Sequence, residues 1–110
     1  VQAIRARAGH IRNRPSKSWN AGSEARRAHI SDAHFRRLFK QVAGAPLGQY
    51  VRQCRLAYAA DMLATTNTPI KQIAADAGLG SVHYFTRVFG RQYHVPPGRF
   101  RQEIRGRRPG

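Results

Sequence analysis

The sequence predicts an all-α fold of about seven helices in which one small helical unit is built twice. Apolar residues recur at spacings of three and four along most of the chain, the period of an α-helix, and strand patterns are nearly absent. In addition, SDAHFRRLF at 31–39 returns fifty positions later as SVHYFTRVF at 81–89. The shared register continues beyond these segments, since Pro46 corresponds to Pro96.

The N-terminal part of the chain contains two predicted helices and a loop. VQAIRARAGHIRNR, at 1–14, has an apolar face formed by Val1, Ile4, Ala8 and Ile11. In the loop that follows, we expect Trp19 to fill the core. Asn20 is a suitable N-cap for a short helix over 21–29, because its side-chain oxygen can accept a hydrogen bond from the first helical N–H groups. Gly22 makes this the weakest helical pattern in the chain.

The central part contains a third helix and a long fourth one. Ser31 is a candidate N-cap of the third helix, and Gly44 is its expected stop, since glycine adopts left-handed backbone angles without steric cost. The fourth helix follows Pro46 and covers LGQYVRQCRLAYAADMLA, residues 47–64. We expect a continuous apolar stripe along it, formed by Leu47, Tyr50, Val51, Cys54, Ala57 and Tyr58.

Three shorter helices complete the prediction. Thr68 and Pro69 start the fifth helix, with Thr68 as the cap and Pro69 in the first helical position. Gly78 ends this helix, and Ser81 caps the sixth. VPP, at 95–97, opens the seventh.

Charge is the strongest compositional signal. The chain of 110 residues has 20 Lys plus Arg against 5 Asp plus Glu, a formal net charge of +15. All but three of the basic residues are arginine, whose planar guanidinium suits phosphate groups and guanine edges. Such a charge attracts an anionic partner, whether nucleic acid, acidic lipid or an acidic protein. Cys54 is the only cysteine, which excludes a disulfide within the chain and a cysteine-based zinc site.

Each copy of the repeated unit has the pattern of a helix-turn-helix. In IAADAGLGSVHYFTRVF, at 73–89, a short helix, a turn containing Gly78 and a serine-capped helix follow one another. The second helix of such a motif enters the major groove of DNA. The first copy has one residue fewer in its turn, and His29 stands where Gly78 does. The spacing turns these residues outward: Asp32, Ala33, His34, Arg36 and Arg37 in the first copy, and Val82, His83, Tyr84, Thr86 and Arg87 in the second.

These patterns divide the chain into four parts. An N-terminal helix-turn-helix subdomain covers 1–45, and a connecting helix covers 46–64. A C-terminal helix-turn-helix subdomain covers 65–104, and a basic tail covers 105–110.

The segment GAPLGQYVRQCRLAYAADMLATTNTPIKQIAADAGLGSVHYFTRVFGRQYHVPPGRFR, with ARRAHISDAHFRRLF before it, resembles the DNA-binding region of AraC/XylS-type transcription regulators. It is most similar to small members of the MarA/SoxS/Rob kind. The resemblance implies two recognition helices that enter successive major grooves on one face of double-stranded DNA. The base-reading positions that it implies are Ala33, His34, Arg36, Arg37, Val82, His83, Tyr84 and Arg87. Candidates for contact with the DNA backbone are Ser31, Lys40, Ser81, Thr86 and Arg91.

The first unit departs from this family pattern. Glu24 occupies a position that is usually apolar in the family, and Gly22 lies in the same short helix. We therefore expect weak packing there, and a gain in stability on Glu24→Leu.

Other function classes fit the sequence less well. The five acidic residues are scattered, and the histidines form no metal-binding pattern, so neither an enzyme nor a cofactor is expected. The alternative to sequence-specific reading is a nucleic-acid or anionic-surface binder that acts through charge alone. The expected partners are double-stranded DNA, RNA polymerase and an upstream effector-binding domain outside this chain, with no membrane. The expected location is the bacterial cytoplasm, with the nucleoid.

Overall fold

The computed structural model describes residues 2–106, which form seven α-helices and no strand. The helices are α1 (Gln2–Asn13), α2 (Ala21–Ala28), α3 (Asp32–Ala43), α4 (Leu47–Thr65), α5 (Ile70–Asp76), α6 (Val82–Tyr93) and α7 (Pro97–Gly106). The all-α prediction is confirmed for this part of the chain. Val1 and residues 107–110, which include most of the predicted basic tail, lie outside the described residues.

The chain divides into two compact units within α4, between Cys54 and Arg55. In the first unit, the buried core consists of Ile4, Ala8, Ile11, Ala21, Ala25, Phe35, Phe39, Leu47 and Val51. In the second unit, it consists of Leu56, Ala59, Leu63, Ile73, Ala74, Ala77, Leu79, Phe85, Val88 and Phe89. Trp19 packs against the first core and is partly buried, in line with the sequence prediction.

The turn between the two helices of each motif begins in the same way in both units, although the second turn is one residue longer. His29 and Gly78 have φ angles of 59° and 75°, in the left-handed region. After each of them, a backbone N–H returns to the preceding helix: Ile30 donates to the Ala25 carbonyl at 3.1 Å, and Leu79 donates to the Ala74 carbonyl at 2.8 Å. The repeat seen in the sequence is therefore a repeat of backbone structure.

The ends of α3 and α6 also correspond. Gly44 ends α3 with a φ of 84°, and His94 ends α6 with a φ of 66°. Each unit thus has one glycine and one histidine at these corresponding left-handed positions, and the second unit has a further left-handed residue, Gly80, with a φ of 73°. A histidine in this conformation carries steric strain that glycine does not.

The predicted apolar stripe on α4 is wrong in its second half. Ala57 and Tyr58 are exposed, Tyr58 by 41%, whereas the buried residues of that half are Leu56, Ala59 and Leu63. These three residues are out of phase with Leu47, Val51 and Cys54, the first-half residues that pack in the other core. The prediction assumed one core along the whole helix, but α4 contributes residues to two.

The start of α5 also differs from the prediction. Pro69, rather than Thr68, is the N-cap residue, and no side chain caps the helix. The Pro69 carbonyl accepts a hydrogen bond from the Ile73 N–H at 3.0 Å. The Thr68 hydroxyl instead accepts one from the Thr66 hydroxyl at 3.0 Å, within the connection between α4 and α5.

An arginine fixes this connection in place of a side-chain cap. Arg101 on α7 donates hydrogen bonds to the carbonyls of Leu63, Thr66 and Thr68 at 3.1, 3.2 and 2.8 Å. Burial, and then the nearby charge of Arg105, lower the pKa of Arg101 from its ordinary value. Because these carbonyls lie at the end of α4 and beyond it, one side chain satisfies three acceptors outside the helical hydrogen-bond pattern.

Glu24 is buried but paired. Its side chain is 4% exposed, and Arg7 donates to both carboxylate oxygens, at 2.7 and 3.2 Å. Arg27 lies near the same carboxylate at 3.7 Å. Position 24 therefore does face the core, as the sequence suggested, but an ion pair with α1 compensates for the missing apolar side chain.

Candidate nucleic-acid interface

The start of α3 is fixed by a serine cap and two buried phenylalanines. The Ser31 hydroxyl accepts a hydrogen bond from the His34 N–H at 3.1 Å, satisfying one of the unpaired N–H groups at the helix start. Phe35 and Phe39 are fully buried one turn apart, and their rings stack with centroids 5.8 Å apart. Anchoring on this side leaves the other side of α3 exposed.

The exposed side of α3 contains most of the predicted base-reading residues of the first unit. Ala33, Arg36 and Arg37 are exposed, whereas His34 is half-buried. The Arg37 guanidinium lies 3.1 Å from His34 Nδ1, one helical turn away. His34 therefore restrains Arg37 rather than projecting freely into solvent.

The start of α6 repeats this construction. The Ser81 hydroxyl accepts a hydrogen bond from the Tyr84 N–H at 3.1 Å, and Phe85 and Phe89 are fully buried. Their rings are 5.6 Å apart in an edge-on arrangement. The same sequence elements thus orient the exposed side of the second helix.

Four predicted base-reading residues lie on the exposed side of α6. Val82 and Tyr84 are 36% and 37% exposed, and His83 and Arg87 are also exposed. The Arg87 guanidinium lies over the Tyr84 ring at 5.6 Å from its centroid. A cation in this position is attracted to the ring face. As in α3, the residue three positions earlier restrains the arginine.

The predicted backbone-contact residues form a less uniform group. Lys40 and Arg91 are exposed, each one turn beyond the arginines just described. Ser31 and Ser81 use their hydroxyl oxygens as helix caps. Thr86 is half-buried, contrary to the expectation that it faces outward, because it lies one turn before the buried Phe89 on the helix.

Sequence reasoning did not identify the pairing of each arginine with the residue three positions before it. The spacing was visible, since residues at i and i+3 are neighbours on a helix. However, the partners are a histidine in one unit and a tyrosine in the other, so the repeat did not show a common role. In the structure, Arg37 lies at hydrogen-bond distance from an imidazole nitrogen, and Arg87 lies over the face of a tyrosine ring.

Other kinds of site are not indicated within residues 2–106. No group of three or more His, Cys, Asp or Glu side chains there could hold a metal ion. In the same part of the chain, none of the helices is both long and apolar enough to cross a bilayer.

Two serine-capped helices, each following a tight left-handed turn and each presenting exposed arginines, define a helix-turn-helix protein of the DNA-binding class. Residues 25–103 match the family model described as a helix-turn-helix domain. The sequence is 40% identical over 80 residues to the regulatory protein SoxS of Escherichia coli (strain K12), covering 73% of this chain and 75% of SoxS. The chain belongs to the AraC-type helix-turn-helix family and is a DNA-binding domain of a transcription regulator of that family.

Two further comparisons show the extent of this likeness. The chain is 39% identical over 92 residues to the uncharacterized HTH-type transcriptional regulator YfiF of Bacillus subtilis (strain 168), covering 84% of this chain but 29% of YfiF. The fold is similar to the DNA-binding domain of AdpA, solved in complex with a target DNA, with a TM-score of 0.88, 24% identity and 96% coverage of both chains. The relatives are transcription regulators, which confirms the expectation that this chain is not an enzyme.

Proposed function

We propose that the chain binds double-stranded DNA sequence-specifically by placing α3 and α6 in successive major grooves. The observation that carries this proposal is the matched construction of the two helices. In each, an exposed arginine stands six positions after the capping serine, restrained by the residue three positions before it. A positioned arginine can donate two hydrogen bonds to O6 and N7 of guanine.

The proposal assigns two kinds of contact. Base contacts come from Ala33, His34, Arg36, Arg37, Val82, His83, Tyr84 and Arg87. Contacts with the DNA backbone come from Ser31, Lys40, Ser81, Thr86 and Arg91. The two reading subdomains are residues 1–45 and 65–104, with 46–64 as the connecting helix. Support comes from the net charge of +15 and from the exposure of the arginines in this set.

In vitro selection from a random DNA pool, followed by footprinting, tests the proposal. Two dissimilar short elements should be recovered, with centres about 10–10.5 bp apart, because the two helices differ in sequence and follow one another on the DNA. A palindromic site with a strict requirement for a dimer would contradict this arrangement.

A matched pair of arginine variants separates base reading from charge. Arg87→Ala should remove preference at one or two base pairs, worth roughly 1–3 kcal/mol of discrimination. Arg91→Ala, one turn later, should weaken binding to all DNA sequences equally. It should also lower by about one the slope of the logarithm of affinity against the logarithm of salt concentration. If both variants behave alike on selected and scrambled DNA, Arg87 does not read bases, and the charge-only binder becomes the better description.

The remaining partners are proposals about the whole regulator. We propose RNA polymerase as a protein partner and an effector-binding domain upstream in the same polypeptide. The match covers 29% of YfiF, so this relative is longer than the matched region. A regulator that binds bacterial DNA would act in the cytoplasm, with the nucleoid.

A further inference from the structure

A basic cavity lies beside the end of α1 and the loop that leads to α2. It has a volume of about 300 Å³ and is lined by Arg7, His10, Asn13, Arg14, Lys17 and Trp19. We call it the α1–α2 cavity. Three of its lining side chains are arginine or lysine, and none is a carboxylate. No residue proposed above to contact DNA lines it.

Trp19 organises the cationic side chains of the α1–α2 cavity. The Arg7 guanidinium carbon and the Lys17 ammonium each lie over the indole ring, 5.4 Å from its centroid. The indole N–H in turn donates to the Arg14 carbonyl at 3.1 Å. The aromatic ring therefore attracts two cationic groups at the cavity.

The cationic side chains of the α1–α2 cavity have different surroundings. Arg7 already donates to both oxygens of Glu24, whose carboxylate lines an adjoining cavity that also contains Lys17 and Trp19. A third Arg7 nitrogen lies 3.0 Å from His10 Nδ1. Arg14 and Lys17 are exposed, and their side chains add positive charge on the same surface. The amide of Asn13 adds neutral donors on the same surface.

Two carbonyl groups, one near the end of α1 and one just after it, already accept hydrogen bonds. The His10 carbonyl accepts from the Arg14 N–H at 3.0 Å. The Arg14 carbonyl accepts from both the Lys17 N–H, at 3.3 Å, and the Trp19 indole. The cavity thus presents mainly donors and positive charge.

We propose that the α1–α2 cavity binds a phosphate group. A phosphate offers several acceptor oxygens and a negative charge, which match an arginine fork, a lysine ammonium and an amide. The group could come from a small phosphorylated molecule or from the backbone of DNA beyond the bases that are read. The site does not depend on the proposed base reading, because neither source requires a base to be recognised.

The first arm of the test uses pyrophosphate and the intrinsic fluorescence of Trp19, the only tryptophan in the chain. Potassium chloride at equal ionic strength is the reference. The expected result is a saturable change of Trp19 fluorescence with pyrophosphate concentration. The affinity for pyrophosphate should be about tenfold lower in the double variant Arg14→Ala/Lys17→Ala. The matched control is Arg5→Ala/Arg99→Ala, which removes the same charge from exposed positions outside the cavity and should bind within twofold of the wild type.

The second arm measures binding to a DNA duplex, with and without one extra helical turn at each end. If the phosphate is part of the DNA backbone, Arg14→Ala/Lys17→Ala binds the longer duplex about tenfold more weakly than the control variant Arg5→Ala/Arg99→Ala. The slope of the logarithm of its affinity against the logarithm of salt concentration is then also lower by about two. If the phosphate is a free ligand, both variants bind DNA alike and the pyrophosphate response remains. Absence of a saturable pyrophosphate response, together with equal DNA binding by the two variants, overturns the proposal. Because the first arm contains no DNA, its outcome is distinct from any failure of base reading.

Discussion

Replacing Arg7 should destabilise the fold more than replacing Glu24, although the two residues form one ion pair. Arg7→Met keeps the aliphatic part of the side chain beside Trp19 but removes both hydrogen bonds to Glu24. The carboxylate is 4% exposed and would retain only Arg27, at 3.7 Å and with a side chain 67% exposed. Breaking a buried pair costs about 3–5 kcal/mol. Because Arg27 remains, we expect the lower end, about 3 kcal/mol, or a fall in Tm of about 13 °C.

The reverse change should be much milder. Glu24→Leu leaves Arg7 without its carboxylate, but this side chain is 23% exposed and can extend its guanidinium into water. Burial of leucine contributes about 1.5–3 kcal/mol, which offsets the lost pair. We expect a free energy of unfolding within about 1 kcal/mol of the wild type. The clear gain expected from the sequence is therefore reduced by the pair that the structure shows.

Urea denaturation followed by Trp19 fluorescence measures this difference, because the tryptophan packs against the core of the first unit. Arg5→Ala, an exposed change in the same helix, is the control and should alter stability by less than about 0.5 kcal/mol. The double variant Arg7→Met/Glu24→Leu should recover most of the loss. The reasoning fails if Arg7→Met costs no more than Glu24→Leu, since the buried carboxylate would then not need its partner.

Three further predictions follow from other features of the structure. His94→Gly should stabilise the chain by about 0.5–1 kcal/mol in thermal denaturation, because glycine adopts the left-handed backbone angles of position 94 without steric strain. A loss of stability would show that the histidine side chain makes a compensating interaction. Arg101→Met should cost about 2 kcal/mol, because the Leu63 and Thr68 carbonyls lose this donor while Thr66 keeps Arg105, and should increase hydrogen exchange at the start of α5; unchanged exchange would contradict this role. Burial raises the pKa of the Cys54 thiol, so its alkylation at pH 8 should be slower in the folded chain than in urea; equal rates would show a fully accessible thiolate.

The sequence identified the elements whose cause is local. Ser31 and Ser81 cap their helices as expected, and Gly44 and Gly78 take the left-handed angles for which glycine is suited. The apolar spacing of each repeated segment likewise identified the buried phenylalanines. These features depend on a few neighbouring residues, and a pattern of that length is visible in one sequence.

The features that the sequence did not identify depend on residues far apart. The partner of Glu24 is seventeen positions away in α1, and no local pattern joins the two. The three carbonyls held by Arg101 belong to residues at least 33 positions before it. Likewise, the change of buried residues along α4 follows from the two cores that it serves, which the periodicity of one helix does not reveal.

The restraint of Arg37 by His34 and of Arg87 by Tyr84 has a consequence for the entropy of binding. A long side chain that is fixed only in a complex loses about 0.5–1.5 kcal/mol of rotational freedom on association. Arg37 and Arg87 are already held in the absence of DNA, at 3.1 Å from a ring nitrogen and at 5.6 Å from a ring centroid, so part of this loss occurs on folding. In a DNA contact through these two residues, both side chains would already be in position before the protein binds. The two units would then share a low ordering cost, although one uses an imidazole and the other a phenol.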